Sequence, residues 1–283
     1  VLDDVDARPG SATSLVRTIV GAYVRALGGW IATADLVALL AQLGVAAPSA
    51  RSAISRVRAK GLLDAETVGG RSGYRLAAAA TPMLERGDRR IFGYRQQGED
   101  DPWCLVSYTV PEDRRDARHQ LRRQLTGIGC GRVAPGLWIC PAHQADEVED
   151  VLAALGLRAA ATLFVAGPPR VEGSLADAVA RWWDLDHVAA LHRGFLAVHG
   201  DAAHAGDAHG GGTAPATAAT FARWTRVLDA WRPVPYLDPG LPASLLPSGW
   251  PGRDGVRAFD TLRAALAVPA AAYVQRAVGD RRY

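Results

Sequence analysis

The 283-residue sequence has few of the residues from which covalent or metal chemistry is built. Its three cysteines, Cys104, Cys130 and Cys140, are an odd number with no closely spaced pair. That argues against a disulfide framework or a zinc knuckle and leaves small buried thiols in a reducing compartment. No apolar run approaches the ~18 residues of a membrane span. The opening stretch VLDDVDARPGSATS is acidic and polar, without the apolar core of a secretory signal. The expectation is therefore a disordered lead-in over residues 1–13 and a cytoplasmic protein with no membrane partner. The formal charge is only +3, so any nucleic-acid footprint has to be local. Catalytic signatures are missing too. The glycine-rich GDAHGGGT has no strand before it and no Lys-Ser/Thr after it, so it is not a phosphate loop. His187 and His192, five apart on a predicted helix, do not share a face. His199, His204 and His209, with Asp201 and Asp207, lie among glycines and alanines, where ordering a metal site is entropically costly. That segment, 200–217, is expected to be a flexible loop. With no nucleophile–base set and no metal cluster, the chain is not expected to be an enzyme.

What is present centres on Ala47 to Gly61. Pro48 suits the first turn of a helix and Gly61 the left-handed position just past its end. Ala50, Ala53, Ile54 and Val57 recur at helical spacing as one apolar stripe. At 100° per residue, Ser52, Ser55 and Ala59 fall on the opposite face, flanked by Arg51 and Arg58 on one side and Arg56 and Lys60 on the other. Small polar residues let a helix approach base edges, and basic flanks reach the phosphates. Upstream, SLVRTIVGAYVRAL (14–27) predicts a helix capped by Ser14. Trp30-Ile31 predicts a short strand, and Asp35 to Leu43 a second helix capped by Thr33 and stopped by Gly44. Downstream, LLDAETV and GYRLAAA flank Gly69-Gly70-Arg71-Ser72, a hairpin signal. Three helices and a hairpin over 14–80 make a winged helix-turn-helix. Its expected DNA contacts are Ser49, Arg51, Ser52, Ser55, Arg56, Arg58 and Lys60, with Arg71 at the wing tip.

A connecting helix is predicted from Thr81, within a linker at 81–97. From 98 to 168 the pattern is strand, helix, hairpin around Pro135-Gly136, helix, strand. This β-α-β-β-α-β order is that of a ferredoxin-like domain. Its first helix has a basic outer face of Arg114, Arg115, Arg118, Arg122 and Arg123, suited to a solvated surface or a subunit contact. Residues 169–283 are helical and rich in tryptophan, with one long helix or two shorter ones over SLADAVARWWDLDHVAALHRGFLAVH, a helix at 218–231, and a last helix from 254 or 255 to about 268 that the tail AAAYVQRAVGDRRY can extend. The expected fold class is α+β: an N-terminal winged helix-turn-helix, a ferredoxin-like βαββαβ middle domain and a mainly α-helical C-terminal domain.

Three stretches carry a family resemblance. They are SARSAISRVRAKGLL, WCLVSYTVPEDRRDARHQLRRQLTGIGCGRVAPGLWICP and YLDPGLPASLLPSGWPG. The middle one is the most specific, with its tryptophan strand, paired arginines and G-x-G-x-x-x-P-G-x-W-x-x-P hairpin. From about Ser14 to Val278 the chain resembles the PaaX family of bacterial transcriptional repressors. The resemblance implies a homodimer that binds a double-stranded DNA operator and represses aromatic, phenylacetate-type catabolic genes. It also implies an aryl-CoA effector, typically phenylacetyl-CoA, and no resident cofactor. For such a thioester, Trp182, Trp183, Trp224, Trp231 and Tyr236 offer apolar surface, and Arg181, Arg223, Arg226 and Arg232 offer phosphate partners.

The middle domain also resembles the small ferredoxin-like nuclease of CRISPR spacer acquisition, which suggests a metal-dependent nuclease as the alternative. That family's first strand ends in Tyr-Asp-hydrophobic. Here the triplet is Tyr108-Thr109-Val110, and a threonine is a poor ligand for a hard cation. Asp113, at the start of the next helix, reads better as a cap.

Overall fold

The computed structural model describes residues 8–208 and 214–279; His209 and most of the expected lead-in lie outside the described residues. In chain order the elements are α1 (Ala12–Ile19), β1 (Trp30–Ala32), α2 (Thr33–Gln42), α3 (Ala47–Ala59), β2 (Leu63–Val68), β3 (Arg71–Leu76) and α4 (Thr81–Phe92). Then come β4 (Trp103–Tyr108), α5 (Arg115–Gly127), β5 (Gly131–Ala134), β6 (Leu137–Pro141), α6 (Ala145–Ala154) and β7 (Ala161–Ala166). The last are α7 (Leu175–Trp182), α8 (Leu185–Ala208), α9 (Ala218–Trp231), α10 (Val234–Leu237) and α11 (Gly252–Gly279). The protein is mixed α+β and divides into two compact units. One comprises 89–193 with 234–252. The other comprises, of the described residues, 8–88 with 194–233 and 253–279. Residues 169–283 are thus distributed over both units.

In the unit that contains α3, β1, β3 and β2 form an antiparallel sheet in that order. Gly69 and Gly70 both have positive φ (+56° and +77°), the requirement of the two-residue turn whose twist matches paired strands. Pairing of Val68 with Arg71 closes the hairpin directly on that turn, so Arg71 and Ser72 lie in β3 rather than in a loop. Where β1 crosses β3, Gly73 lies opposite Ala32, and a Cβ there would collide with the Ile31 carbonyl and the Trp30 ring.

The first helix begins earlier than its sequence suggests. Ser11 caps α1 by accepting from the Ser14 N–H at 3.2 Å. Ser14 is not the cap because its hydroxyl is used inside the protein. It donates to Asp229 Oδ1 of α9 at 2.6 Å, beside Thr18 Oγ1 at 2.7 Å. Gly10 N donates to Asp229 Oδ2 at 2.6 Å, and Arg232 Nη2 reaches Ser14 Oγ at 3.1 Å and Asp229 Oδ1 at 3.8 Å. Ser14, Thr18, Asp229 and Arg232 are all buried. The opposite side of α1 packs on α3. Helix α1 continues through a π-type turn (Val20–Val24) and a 3-10 turn (Arg25–Leu27) before Gly28 stops it.

One expectation for the C-terminal segment is corrected. Residues 200–208 are helical, as the end of α8, and not a loop. Helix α11 runs through Pro269 to Gly279, so the tail beyond 268 extends the last helix. A proline lacks the N–H that would bond the carbonyl four residues back. Here that carbonyl, Ala265 O, accepts the N–H of Ala214 at 3.3 Å, just ahead of α9.

In the other unit the sheet order is β5-β6-β4-β7, antiparallel throughout. Alternation along β4 serves two cores. Cys104, Val106 and Tyr108 join Leu121, Leu125, Val148 and Leu152 under α5 and α6. Trp103 and Leu105 join Ile139, Val179 and Trp183 under α7. All three cysteines are buried and free. The adjacent Cys140 thiol, together with burial, holds the Cys104 thiol far above its usual range, so it is a neutral packing group.

Two outcomes are expected. Asp229→Ala removes the acceptor of two buried hydroxyls and the carboxylate beside Arg232, and should cost about 3–5 kcal/mol in chemical denaturation. Gly73→Ala should cost about 1–3 kcal/mol, because Trp30 and the Ile31 carbonyl must give way.

Candidate nucleic-acid interface

Helix α3 buries Ala50, Ala53, Ile54 and Val57 and exposes every polar residue between them. Ser49, Arg51, Ser52, Ser55, Arg56, Arg58 and Lys60 all face solvent. Lys60 is the only lysine in the chain, and no acid lies between Ser49 and Lys60. The cations are not equivalent. Arg56 is held on both sides, its Nη1 donating to Ser52 Oγ at 2.9 Å and its Nε to Thr13 Oγ1 at 3.1 Å. The Ser52 hydroxyl therefore already serves as an acceptor within the helix. Arg51 and Arg58 have no ion-pair partner among the described residues, and their fork-shaped donors are available to an anion.

Arg71 lies at the hairpin tip, directly after the Gly69-Gly70 turn, but its side chain is engaged. Its Nη2 donates to Asp35 Oδ2 at 2.9 Å, and that carboxylate is 1 % exposed against 33 % for the arginine side chain. Asp35 lies in the first turn of α2, beside Leu36 on its inward side, and a carboxylate in such a position needs a cation or donors. Arg71 thus fastens the hairpin to α2. Arg75, the other arginine on β3, pairs with Glu66 at 2.6 Å. The hairpin's cations are engaged with its own unit, whereas α3 presents Arg51 and Arg58 to solvent.

The residues expected to hold an aryl-CoA fall into separate units. Arg181, Trp182, Trp183 and Tyr236 belong to the unit with the four-stranded sheet; Arg223, Trp224, Arg226, Trp231 and Arg232 belong to the unit with α3. Trp183 is buried and donates its Nε1–H to Gly129 O at 2.7 Å. Tyr236 is buried with the Arg90 guanidinium 6.0 Å from its ring centre. Trp231 stacks on Phe259 at 4.8 Å, and Trp224 stacks on the same ring at 5.7 Å. Arg232 is buried and engaged with Ser14 and Asp229. These five are interior packing and tethering groups. Arg181, Arg223 and Arg226 are exposed and Trp182 is half-buried.

A third buried carboxylate, in the YLDPGLP stretch, is not among the residues that the sequence singles out. Asp238 Oδ2 lies 2.7 Å from His192 Nε2 and accepts from the Tyr94 hydroxyl at 3.2 Å, while Oδ1 accepts from Gly240 N at 2.8 Å. Burial and this carboxylate raise the Tyr94 hydroxyl above its ordinary range. An aspartate followed by Pro-Gly in a proline-rich run is the available signal for a turn built around a side-chain acceptor. Beyond the end of β4, Thr109 and Asp113 are exposed, and Glu112 is paired with Arg118 at 3.0 Å. Among the described residues no group of three or more His, Cys, Asp or Glu is placed to hold a metal ion. No single described helix is long and apolar enough to cross a membrane.

Comparison with known proteins gives three consecutive family matches. Residues 11–80 match a domain described as PaaX-like protein. Residues 96–178 match the PaaX protein central Cas2-like domain, and 183–276 the PaaX-like protein C-terminal domain. The chain is 27% identical over 250 residues to the transcriptional repressor PaaX of Escherichia coli strain K12, covering 88% of this chain and 78% of that protein. In fold it is similar to the uncharacterized protein Rv0674 of Mycobacterium tuberculosis. The TM-score is 0.53 at 22% identity, over 93% of this chain and 99% of the other. With its domains matched in order along most of its length, the chain belongs to the PaaX family of transcriptional repressors.

Proposed function

We propose that this protein is a homodimeric repressor that binds an operator through α3 and is released by an aryl-CoA. The observation that carries the reading is the solvent face of α3, basic from end to end with no acid in it. The arrangement of α1, α2, α3 and the β1-β3-β2 sheet supports a winged helix-turn-helix, with α3 entering the major groove of each half-site. The β-α-β-β-α-β order, with strands arranged β5-β6-β4-β7, supports a ferredoxin-like second domain. The name of the Escherichia coli relative supports repression of transcription. The sequence resemblance extends the proposal to phenylacetate-type catabolic genes and to phenylacetyl-CoA as effector. Of the residues proposed for that ligand, Arg181 and Trp182 are accessible in one unit, and Arg223 and Arg226 in the other. The nuclease alternative gains nothing from an exposed Thr109 just past β4.

Release by a ligand requires that it bind the DNA-incompetent state more tightly; equal affinity for both states shifts nothing. The direct test is a gel shift with DNA flanking the protein's own gene, with phenylacetyl-CoA, with free phenylacetate and with neither. A shift relieved by the thioester alone is expected. No shift under any condition rejects the repressor reading, and a shift that no acyl-CoA relieves rejects the effector.

Salt separates the arginines. Arg51→Ala and Arg58→Ala should each flatten the dependence of log K on log salt by about 0.9 for every phosphate left without its cation, with unfolding unchanged. Arg71→Ala should instead cost about 1–3 kcal/mol of stability, because it removes a partner of the buried Asp35.

A further inference from the structure

We propose that Arg56 is the residue of α3 that reads a base, taking the O6 and N7 edge of one guanine in each half-site, and that Thr13 and Ser52 position it. This rests on the DNA-binding reading above and says which cation carries the sequence preference.

The arginines of α3 differ in how firmly they are held. Arg51 and Arg58 are exposed, without an ion pair among the described residues, and each gives up its rotamer freedom when it grips an anion. Such groups suit phosphates, which recur along the duplex and tolerate a small error in aim. A base edge tolerates none, because its two acceptors have to be met by two N–H groups in one plane. Arg56 is already aimed. Its Nε donates to Thr13 Oγ1 at 3.1 Å and its Nη1 to Ser52 Oγ at 2.9 Å. A guanidinium bonded through two of its nitrogens cannot swing away without breaking one of those bonds.

Of the five N–H groups, the two bonds leave both on Nη2 and one on Nη1 without a partner among the described residues. Those are the donors that can face a base edge as a pair, matching the O6 and N7 acceptors of guanine. Adenine presents an acceptor beside a donor, and so opposes one of the two. The side chain is also well placed. A helical side chain leans toward its own N-terminus, so Arg56 lies over the turn at Ser52, within the exposed face. Its neighbours on that face, Ser52, Ser55 and Ala59, are small and leave room for a base edge to approach. Thr13, in the first turn of α1, is next to Ser14, whose hydroxyl is fixed on Asp229. The buried carboxylate thus bears on the DNA face through two short links.

The test begins with selection of duplexes from a randomised pool by the full chain. Affinity for the chosen duplex is then measured with each guanine in turn changed to adenine or to 7-deazaguanine, which lacks the N7 acceptor. The native chain is compared with Arg56→Ala, Thr13→Val, Thr13→Ser and Arg58→Ala, each checked by circular dichroism and melting. At one guanine of each half-site the native chain should lose about tenfold to a hundredfold with adenine, and part of that with 7-deazaguanine. Arg56→Ala should bind all three bases alike there. Thr13→Val should lose part of the preference and Thr13→Ser should keep it, both with the dependence on salt unaltered, since no phosphate contact is removed. Arg58→Ala should keep the preference while its dependence on salt flattens. An unaltered preference in Arg56→Ala overturns the proposal, and a Thr13→Val variant that discriminates as the native chain does overturns the positioning. A native chain that binds duplexes without choosing a sequence overturns base reading by Arg56 and leaves DNA binding standing. One that binds no duplex overturns both.

Discussion

Asp229 is a carboxylate with almost no water around it, and the unit that holds α3 is assembled on it. Two hydroxyls and a backbone N–H from the start of the chain converge on its oxygens, and Arg232 supplies the counter-charge. Burying an ion pair brings little net stability over an apolar contact of the same shape, but it tolerates no slippage. A one-turn shift of α1 along α9 would leave Ser14 and Thr18 opposite carbon and the carboxylate unsolvated. Helix α1 carries α3 on its other side, so the orientation of the basic face is fixed by a contact remote from it.

The unit built on β4 follows a different rule. Its sheet is covered on both faces, and some of its buried polar groups are met by turns and side chains brought in from distant sequence. Asp238 organises the Pro-Gly turn through Gly240 N and holds His192 of α8 and Tyr94. Arg90 performs a comparable service, pairing with Glu147 at 2.7 Å and donating to the Ile128 carbonyl. Both are single charged groups acting as local centres where the apolar surface alone would leave several packings nearly equal in energy.

The sequence is most informative where one helix face meets one core. The four-residue stripe of α3, the bounds of α9 and the Pro135-Gly136 hairpin are local patterns, and the structure has them as read. Interactions that depend on what lies across the fold are not legible. Ser14 looks like a cap until Asp229 is known to stand opposite it. Arg71 looks like an exposed tip until the buried Asp35 needs a cation. The tryptophan and arginine set is assembled by residue type, whereas rings at helical spacing mostly fill a core, as Trp224 and Trp231 do around Phe259. The run of glycine, alanine and histidine after 199 suggests a loop, but intrinsic helix propensity is a weak guide, and α8 overrides it to Ala208.

Pro269 gives α11 a second use. Within a helix the residue is normally a defect, but the carbonyl it releases receives Ala214, and Arg276, further along, holds the Ala216 carbonyl. The chain is thereby set down on α11 at two points immediately before Thr217 caps α9. An alanine at 269 would complete the helical ladder and, in doing so, compete with Ala214 for the same oxygen. The proline is a mooring: it gives up one bond in α11 so that α9, and Asp229 with it, starts from a fixed place.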